Sequence, residues 1–534
     1  MRGFSLIILI SFVGGIIMDL VKTVLAIIPI VWLILSLGVF HIRGDLACLI
    51  GFALSLILSI VGFHFSFSNS ITAGIDGIIM ALWPIIYVII SALFIYNISR
   101  KSGGMDTIMS MLTSITKDMR FLVLILAWGL GGFLEAIAGF GTAVAIPASI
   151  LIMLGMNPIK AAVVCLVANT APTAFGAVGL PVTTLAKVTG LGVTQLGYLI
   201  AIQLFVLMML VPFVLVMMTE GKGLKSFKGK GVMVCTLVAG LTFAVPEIFI
   251  TKYLGPELPS IVGSLVCLLF LVIIIKGYSK KDEAGSSSDE KEEKAQISTA
   301  EKIKAWVPFI LVFCFIIFTS SMFPAIHNAL ASVKTSFHFY NGANAKPVDI
   351  DWLSSPGTLI LLSSIIGGAI QGLSFKEMFS VLTSTIKQLV KTIITVCSIV
   401  ALSKVMGYSG MIDVIAVSLV TLTGAFYPVI SPIIGVLGIF ITGSDTSANV
   451  LFGELQVQAA HALKVSPYWL AAANMVGATA GKMLSPQNIA IATGATGLEG
   501  KEGVILKKAL PHCAWYTAVL CIIVFVAGKM LSYL

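Results

Sequence analysis

The stretch FITGSDTSANVLFG, residues 440–453, places polar side chains and glycine inside an apolar segment of membrane-spanning length. The residues just before it, SPIIGVLGI (431–439), are almost purely apolar. A charge at the centre of a bilayer costs about 3 kcal/mol on insertion scales, so Asp445 requires a local polar environment there. The stretch therefore predicts a broken helix that builds a polar pocket within a membrane protein.

The composition of the whole chain agrees with that interpretation. Of the 534 residues, 58% are hydrophobic and 11% are charged, and the mean hydropathy is +1.05. A soluble protein cannot bury so much apolar surface, and a membrane span needs about 20 apolar residues. We expect an all-α polytopic protein of the plasma membrane with about 12 to 14 transmembrane helices. The predicted spans are 23–40, 46–63, 78–97, 120–134, 159–175, 196–218, 231–250, 258–275, 305–322, 356–373, 389–406, 427–441, 467–480 and 512–532.

Charge, cysteine and histidine patterns exclude several other classes of protein. The net charge of +9 comes mostly from lysines and arginines in short loops, as the positive-inside rule requires, so nucleic acid is not an expected partner. The eight cysteines lie in apolar runs, and neither they nor the six histidines have metal-ligand spacing, so no cofactor or metal is expected. Walker A, GxGxxG, GxSxG and HExxH motifs are absent from the sequence. We therefore expect neither an enzyme nor an ATP-driven pump, and ion coupling is the economical alternative.

Loop charge predicts which side of the membrane each loop faces. Residues 98–120 carry two lysines and two arginines, residues 220–230 carry four lysines, and both loops are predicted to be cytoplasmic. Residues 276–304 carry seven lysines and seven acidic residues around GSSS, which is typical of a solvated cytoplasmic linker. Residues 323–355 carry few basic side chains and are predicted to be external.

Two pairs of similar segments indicate an internal duplication. KSGGMDTIMSMLTSIT (101–116) resembles YSGMIDVIAVSLVTLT (408–423), and ANTAPTAFGAVGLP (168–181) resembles ANMVGATAGKMLSP (473–486), at offsets of 307 and 305 residues. Chance seldom produces two matches at nearly one offset. Loop charge places the first two segments on opposite sides of the membrane, so the copies are predicted to be inverted. Inverted repeats are typical of secondary transporters whose substrate site lies near the bilayer midplane.

The duplication predicts the organisation of the chain. Residues 1–22 form a short hydrophobic extension, which is too short for a span and resembles the apolar part of a signal peptide. Residues 23–219 form the first transmembrane repeat. Residues 220–304 contribute two connecting helices and the charged linker, because an odd number of crossings is needed to invert the second copy. Residues 305–534 form the second repeat.

Each repeat contains two segments in which glycine, proline and polar residues interrupt an apolar run. They are residues 134–148 and 169–181 in the first repeat, and residues 442–453 and 481–494 in the second. Unwound backbone at membrane depth is tolerated only where protein or a water-filled cavity surrounds it. Half-helix N-termini at such breaks suit a carboxylate. We therefore expect re-entrant or broken helices that together build the site.

Three charged side chains, Glu135, Asp445 and Lys482, lie in or beside these interruptions. A charge inside the membrane is by default a candidate functional residue. Burial favours the neutral form of a carboxylic acid, so Glu135 or Asp445 is expected to load and release a proton. Lys482 is expected to pair with one of them or to bind an anionic substrate. Structural roles stay open for all three: Asp445 as a helix cap, Glu135 as a partner of Lys482, and Lys482 as a snorkelling residue.

Several motifs together resemble the L-lactate permease family, and they run in order from about residue 20 to the C-terminus. They are LEAIAGFGTAVAIPA, NTAPTAFGAVGLP, GPELP, YSG, TGSDTSANVLFG and GKMLSPQNIAIA. The resemblance implies proton-coupled symport of 2-hydroxymonocarboxylates, namely L-lactate, D-lactate and glycolate. The family is grouped with ion transporters that have paired re-entrant hairpins, some of which move the hairpin domain as an elevator. The first 17 residues and Lys404 depart from the family's pattern.

The resemblance also assigns roles to residues of this sequence. Lys482 and the N–H groups of the hairpin tips are expected to bind the substrate carboxylate, and Asp445 or Glu135 is expected to carry the coupling proton. The 2-hydroxyl group is expected to form a hydrogen bond with one of four alternative side chains, Thr142, Thr446, Ser485 or Gln487. The full set of expected substrate-binding residues is Gly141, Thr142, Asn169, Thr170, Ser444, Thr446, Ser447, Asn449, Lys482, Ser485 and Gln487.

The alternative closest to this interpretation is a sodium-coupled carboxylate transporter of the same architecture, because NTAPT and SDTSAN provide oxygens for a cation. A polytopic membrane enzyme would need an Asp-rich or His-rich metal-binding cluster, which the sequence lacks. A channel would show single-channel currents, whereas a carrier shows saturable counterflow. The expected partners are a monocarboxylate, protons and the lipid bilayer, and no sequence feature fixes an oligomeric state.

Overall fold

The computed structural model describes residues 21–530 except 37–39, 41, 140, 230, 284–297, 320–322, 343–344, 346 and 499–500. The N-terminal extension expected at 1–22 lies almost wholly outside the described residues, as does about half of the linker expected at 276–304. The described part is helical apart from loops and one antiparallel hairpin. In that hairpin, β1 (Lys334–Phe337) pairs with β2 (Val348–Asp351).

Helices α1 to α12 precede the linker. Their bounds are α1 Val21–Ser36, α2 Gly44–Val61, α3 Phe67–Met80, α4 Tyr87–Lys101, α5 Gly104–Thr113, α6 Met119–Ile137, α7 Thr142–Met153, α8 Pro158–Ala168, α9 Gly176–Thr189, α10 Val193–Glu220, α11 Val232–Tyr253 and α12 Pro259–Glu283. Helices α13 to α22 follow the linker. Their bounds are α13 Thr299–Thr319, α14 Pro324–Ala331, α15 Pro356–Ile370, α16 Phe375–Tyr408, α17 Met411–Thr423, α18 Tyr427–Thr442, α19 Asp445–Leu463, α20 Pro467–Gly481, α21 Pro486–Thr496 and α22 Glu502–Met530.

Local sequence signals set where several of these helices begin. Ser374 and Glu377 form a capping box at the start of α16, in which each side chain accepts a hydrogen bond from the other residue's backbone N–H. Pro158, Pro356 and Pro467 occupy the first turns of α8, α15 and α20, where a missing N–H costs no helical hydrogen bond. These starts depend on neighbouring residues only, so the sequence specifies them without help from the tertiary fold.

The helices form a multi-pass membrane protein. Ten of the described helical segments are long and apolar enough to cross a membrane, or eleven if α8 and α9, bent by 49° at their junction, form one span. Three apolar helices, α1, α7 and α15, are shorter. The number is below the predicted 12 to 14 because one predicted span, 159–175, is broken and others, such as 356–373 and 467–480, contain helices of only 15 residues.

The helices pack into two bundles. The first bundle contains α1–α5 and α13–α16, with α16 packed along α2 and α3 and α15 packed along α4, and α17 lies between the end of α16 and α19 of the second bundle. The second bundle contains α6–α12 and α18–α22, with α11 between α10 and α12 and α18 packed along α20. Gly477 permits the last of these contacts, because a Cβ there would overlap the backbone of Pro432. The bundles meet mainly where α16 and α17 contact α19.

The same order of elements occurs twice in the second bundle. A hairpin of two helices (α6 and α7) is followed by a broken helix (α8 and α9), and a second hairpin (α18 and α19) is followed by a second broken helix (α20 and α21). The two sets interlock, since α7 packs on α21 and α9 packs on α19. The predicted repeat boundaries and the inverted orientation of the copies stay predictions.

Candidate functional site

Two hairpin tips and two unwound turns lie at the centre of the second bundle. Gly139 and Gly141 lie between α6 and α7 with φ angles of +60° and +79°, and Gly443 lies between α18 and α19 with a φ of +76°. Glycine adopts this left-handed region without the strain that a Cβ would cause, so it ends a helix abruptly. The unwound turns are Ala171–Phe175, between α8 and α9, and Lys482–Leu484, between α20 and α21.

The start of α9 has an unusual backbone conformation. Ala177, Val178 and Gly179 are all left-handed, with φ angles of +43°, +56° and +72°. A β-branched residue is rare in this region, and such strain persists only where the surrounding structure enforces it. Gly179 packs so closely on the loop between α11 and α12 that a Cβ would overlap the Pro256 carbonyl. The left-handed segment is thus held between the unwound turn and that loop.

A buried cluster of three charges and one hydroxyl group joins the breaks. Lys482 Nζ lies 2.6 Å from Glu135 Oε1 and 3.5 Å from Asp445 Oδ2. The hydroxyl group of Thr173 lies 2.9 Å from Glu135 Oε1 and 2.8 Å from Asp445 Oδ2, and it also accepts a hydrogen bond from Lys482 Nζ. The side chains of the three charged residues are at most 8% exposed. The breaks therefore bring a lysine and two carboxyl groups into direct contact.

The hydrogen bonds of this cluster require a definite number of protons. A threonine hydroxyl group carries one hydrogen, so Thr173 Oγ1 can donate to only one of its two carboxylate neighbours. The second short contact becomes a hydrogen bond only if that carboxyl group carries a proton and donates it to Thr173. The other oxygens, Glu135 Oε2 and Asp445 Oδ1, are buried without a hydrogen-bond partner. The arrangement has room for one exchangeable proton and leaves two acceptor oxygens free.

The helix ends assist the charges that they carry. Asp445 lies in the first turn of α19, where the partial positive charge of the helix N-terminus favours a carboxylate. Lys482 follows the last residue of α20, where the partial negative charge of the C-terminus favours an ammonium group. Both charges are thus placed at the helix end that stabilises them.

The cluster opens into a cavity of about 550 Å³ at the interface of the two bundles. The second bundle contributes the cluster itself and the hairpin tips. The first bundle contributes Arg43 and Asp45 from the start of α2, and Lys391, Thr392 and Thr395 from α16. The wall of the cavity therefore combines charged and hydroxyl groups of both bundles.

The structure places most of the predicted site residues on the wall of this cavity. They are Glu135, Gly141, Ser444, Asp445, Thr446, Ser447, Lys482 and Gln487. The others lie outside the cavity lining. They are Thr142, Asn169, Thr170, Asn449 and Ser485. The hydroxyl groups of Thr142 and Thr170 each donate to a nearby backbone carbonyl, as threonine does at a helix end.

Four of the residues outside the lining are deeply buried, namely Asn169, Thr170, Asn449 and Ser485. Asn449 Nδ2 donates to the carbonyl of Pro181, and Asn449 Oδ1 accepts from Asn474, so this side chain ties α19 to α9 and α20. Asn169 and Ser485 are at most 2% exposed, and their side-chain polar atoms have no hydrogen-bond partner. The roles assigned to these residues from the sequence stay predictions.

Sequence reasoning missed two contributions to the site. Thr173 bridges the charged cluster; its only signal was its position in NTAPT, directly after the proline that breaks the helix. The wall from the first bundle had no signal, because Arg43 and Lys391 reach the cavity only through packing of distant segments. Lys404, which departs from the family's pattern, lies elsewhere, in the first bundle, with its Nζ 3.4 Å from Asp76 Oδ2.

A multi-pass helical protein whose broken helices hold a buried, charged cavity between two bundles is a membrane transporter. The family model described as L-lactate permease matches residues 22–531, which include the whole site, and the chain belongs to that family.

Curated relatives cover nearly the same region. The chain is 58% identical to an L-lactate permease of Streptococcus iniae, over 84% of this chain and 93% of the relative. It is 36% identical to the glycolate permease GlcA of Escherichia coli K12, over 94% of this chain and 95% of the relative. It is 33% identical to an L-lactate permease of Bacillus subtilis 168, over 96% of this chain and 97% of the relative.

Two solved structures resemble the chain more distantly, each with a TM-score of 0.49. One is the YdaH transporter of Alcanivorax borkumensis, at 14% identity over 86% of this chain and 87% of that one. The other is MtrF of Neisseria gonorrhoeae, at 15% identity over 91% of this chain and 95% of that one.

Proposed function

We propose that the protein is a secondary active transporter that carries L-lactate and related 2-hydroxymonocarboxylates, including D-lactate and glycolate, across the cell membrane together with a proton. The names of its relatives, L-lactate permease and glycolate permease, support this substrate class. The observation that carries the proposal is the contact of Lys482 with two carboxyl groups that share one hydroxyl group, because such a cluster binds an anion and a proton together.

The distances favour different roles for the two carboxyl groups. Glu135 lies 2.6 Å from Lys482 Nζ and orients it, whereas Asp445, at 3.5 Å, makes the weaker contact. In our proposal the substrate carboxylate takes the place of Asp445 beside Lys482, and Asp445 carries the coupling proton. Glu135 Oε2, which lacks a hydrogen-bond partner, accepts from the 2-hydroxyl group of the substrate. The first turn of α19, with Ser444 and Thr446 on the cavity wall, provides further donors.

Charge balance explains why the anion and the proton travel together. Binding one proton and one monocarboxylate anion leaves the net charge of the site unchanged. An unaccompanied anion would add an uncompensated charge to a site of low dielectric, where charges are costly. One-to-one symport therefore lets the loaded and the empty site cross the membrane at similar electrostatic cost.

The position of the cavity between the bundles supports movement of one bundle relative to the other. The hairpin tips and the unwound turns all belong to the second bundle, so this bundle would carry the substrate past the first bundle in the manner of an elevator. The first-bundle residues Arg43 and Lys391 would then contact the substrate on one side of the membrane only.

The test is L-lactate uptake by the purified protein in proteoliposomes under an inward proton gradient, with and without sodium. We expect saturable uptake that needs the proton gradient and is independent of sodium. Uptake that follows a sodium gradient at constant pH would instead support the sodium-coupled alternative.

The site itself is tested with Lys482→Ala in the same proteoliposomes. This variant should lose both uptake and counterflow, because the anion loses its cation. Lys508→Ala, which alters an exposed lysine of α22, is the matched control and should transport normally. Normal counterflow in Lys482→Ala would overturn the site.

A further inference from the structure

A second cavity, of about 450 Å³, lies between the bundles beyond the left-handed segment of α9. Leu180 lines both this cavity and the one that contains the charged cluster, so a wall about one side chain thick separates them. Val178, which is 1% exposed, completes the wall on the side of the second cavity. The two cavities therefore reach the same barrier from opposite directions.

Loop positions place the second cavity on the predicted external side. Glu257, on its wall, lies in the loop that one span, α11, separates from the basic loop 220–230. The first cavity includes Arg43. Two spans, α2 and the continuous segment of α3 and α4, separate Arg43 from the basic end of α4, so both lie on the predicted cytoplasmic side. In this structure the charged cluster thus opens towards the predicted cytoplasmic side, and the wall at Leu180 separates it from the predicted external side.

The second cavity contains a lysine without an ion-pair partner. Lys187 of α9 is exposed to it, and within the described part of the chain no carboxylate lies within 4 Å of its Nζ. The acidic residues on the same wall are Asp351 and Glu257, and Asp349 is a further acid near Lys187. The ammonium group is therefore free for a ligand, while its acidic neighbours limit how tightly it would hold one.

Unused hydrogen-bond donors also lie among the first-bundle residues that line this cavity. Ser355 occupies the N-cap position of α15 and is 4% exposed. Its hydroxyl group makes no capping hydrogen bond and has no other hydrogen-bond partner. Trp83 Nε1 is also buried without a partner. The N-terminus of α15 adds a partial positive charge beside them. Donors from the first bundle and Lys187 of the second bundle therefore line the same cavity.

We propose that this cavity is the external vestibule of the transporter and that Lys187, with Ser355 and Trp83, binds a small carboxylate anion there before it passes the Leu180 barrier. The inference rests on the proposed function, because it assigns this vestibule to the same substrate class. Its chemistry repeats that of the inner site, because one ammonium group, a helix N-terminus and hydroxyl or N–H donors line the same cavity.

The charge of the acidic neighbours is compatible with anion entry. Burial raises the pKa of the Glu257 carboxyl group from its ordinary 4.5 to about 7, so a substantial fraction is uncharged at neutral pH. Asp349 is compensated by Lys334, whose Nζ lies 3.5 Å from its carboxylate, and by a hydrogen bond from Ser336. Asp351 is then the main opposing charge, and it makes the site one of weak, rapid exchange.

The first test compares transport from the two sides of the membrane. Lys187→Gln should raise the KM for external L-lactate about tenfold, the size expected for a lost charge-assisted hydrogen bond, with kcat unchanged. In inside-out vesicles the same variant should keep the wild-type KM. Lys187→Arg should restore external uptake, and Ser355→Ala should raise only the external KM. An unchanged external KM, or an equal rise on both sides, would overturn the proposal.

The second test does not depend on transport. A membrane-impermeant amine reagent applied to intact cells should modify Lys187, as measured by peptide mass spectrometry, and millimolar L-lactate should protect it. Lys252, an exposed lysine on the same predicted side but outside the cavity, should react equally with and without lactate. Reaction of Lys187 only in inside-out vesicles, or absence of protection, would overturn the vestibule. A wild type that shows this protection but does not transport lactate would overturn the proposed function alone.

Discussion

We expect Asp445→Asn to separate anion binding from proton coupling. The variant keeps the shape of the side chain and removes its ability to ionise. In the wild type an ionised Asp445 lies 3.5 Å from Lys482 Nζ, where Coulomb's law with an effective dielectric constant of 20 gives an attraction of about 5 kcal/mol. A substrate carboxylate must compete with that attraction unless Asp445 is protonated. The wild type should therefore bind L-lactate together with one proton.

The magnitude follows from linkage of one proton to one anion. Where Asp445 is ionised in the free protein, each further pH unit weakens lactate binding tenfold, which is about 1.4 kcal/mol. A rise of two pH units, from 6.5 to 8.5, should then weaken wild-type binding by up to about 100-fold, or roughly 2.7 kcal/mol. The attraction estimated from the structure exceeds this value, so a competing carboxylate is strong enough to produce the effect. In Asp445→Asn the affinity should not change with pH.

The measurements are calorimetric binding of L-lactate to purified protein at several pH values, and radiolabelled counterflow in proteoliposomes. Asp445→Asn should retain counterflow and lose accumulation driven by a proton gradient. Asp413→Asn, which changes a carboxyl group of α17 away from the cavity, is the matched control and should behave as the wild type. If Asp445→Asn still loses tenfold in affinity per pH unit, the coupling proton resides elsewhere, and Glu135 becomes the first residue to examine.

Three further results are expected. Thr173→Val keeps the side-chain volume, removes the hydroxyl group that bridges the two carboxyl groups, and should lower lactate uptake about tenfold because carboxylate oxygens lose a hydrogen-bond partner. Normal uptake would show that this bridging hydroxyl group is not needed for transport. Gly179→Ala should lower the melting temperature much more than Gly103→Ala, because both glycines are left-handed but only at Gly179 would a Cβ overlap a neighbouring carbonyl. Equal decreases in melting temperature would contradict this packing. The folded protein holds the Glu257 proton more tightly than the unfolded chain, so the free energy of unfolding should fall as pH rises from about 4.5 through 7. Glu257→Gln should reduce this pH dependence in thermal unfolding, and an unchanged dependence would refute the assignment.

The local pattern of the sequence was sufficient to predict the class of protein and its three central charges. Membrane insertion depends on the hydropathy of each segment, so the apolar composition predicts a helical membrane protein without knowledge of any contact. Helix breaks depend on glycine and proline nearby in the chain, so the interruptions around Glu135, Asp445 and Lys482 are also visible locally. The composition overestimates the number of long spans, because an apolar run that holds a short or interrupted helix has the composition of a span without its length.

Which groups meet at these breaks was decided by the tertiary structure alone. The contact between Lys482 and Glu135 joins residues 347 positions apart, and Thr173 reaches Asp445 across 272. The first-bundle side of the cavity and the wall at Leu180 likewise arise from packing of helices that are remote in the chain. Hydropathy and helix breaks are properties of neighbouring residues, whereas the partner of a buried charge is chosen by whichever distant segment packs against it.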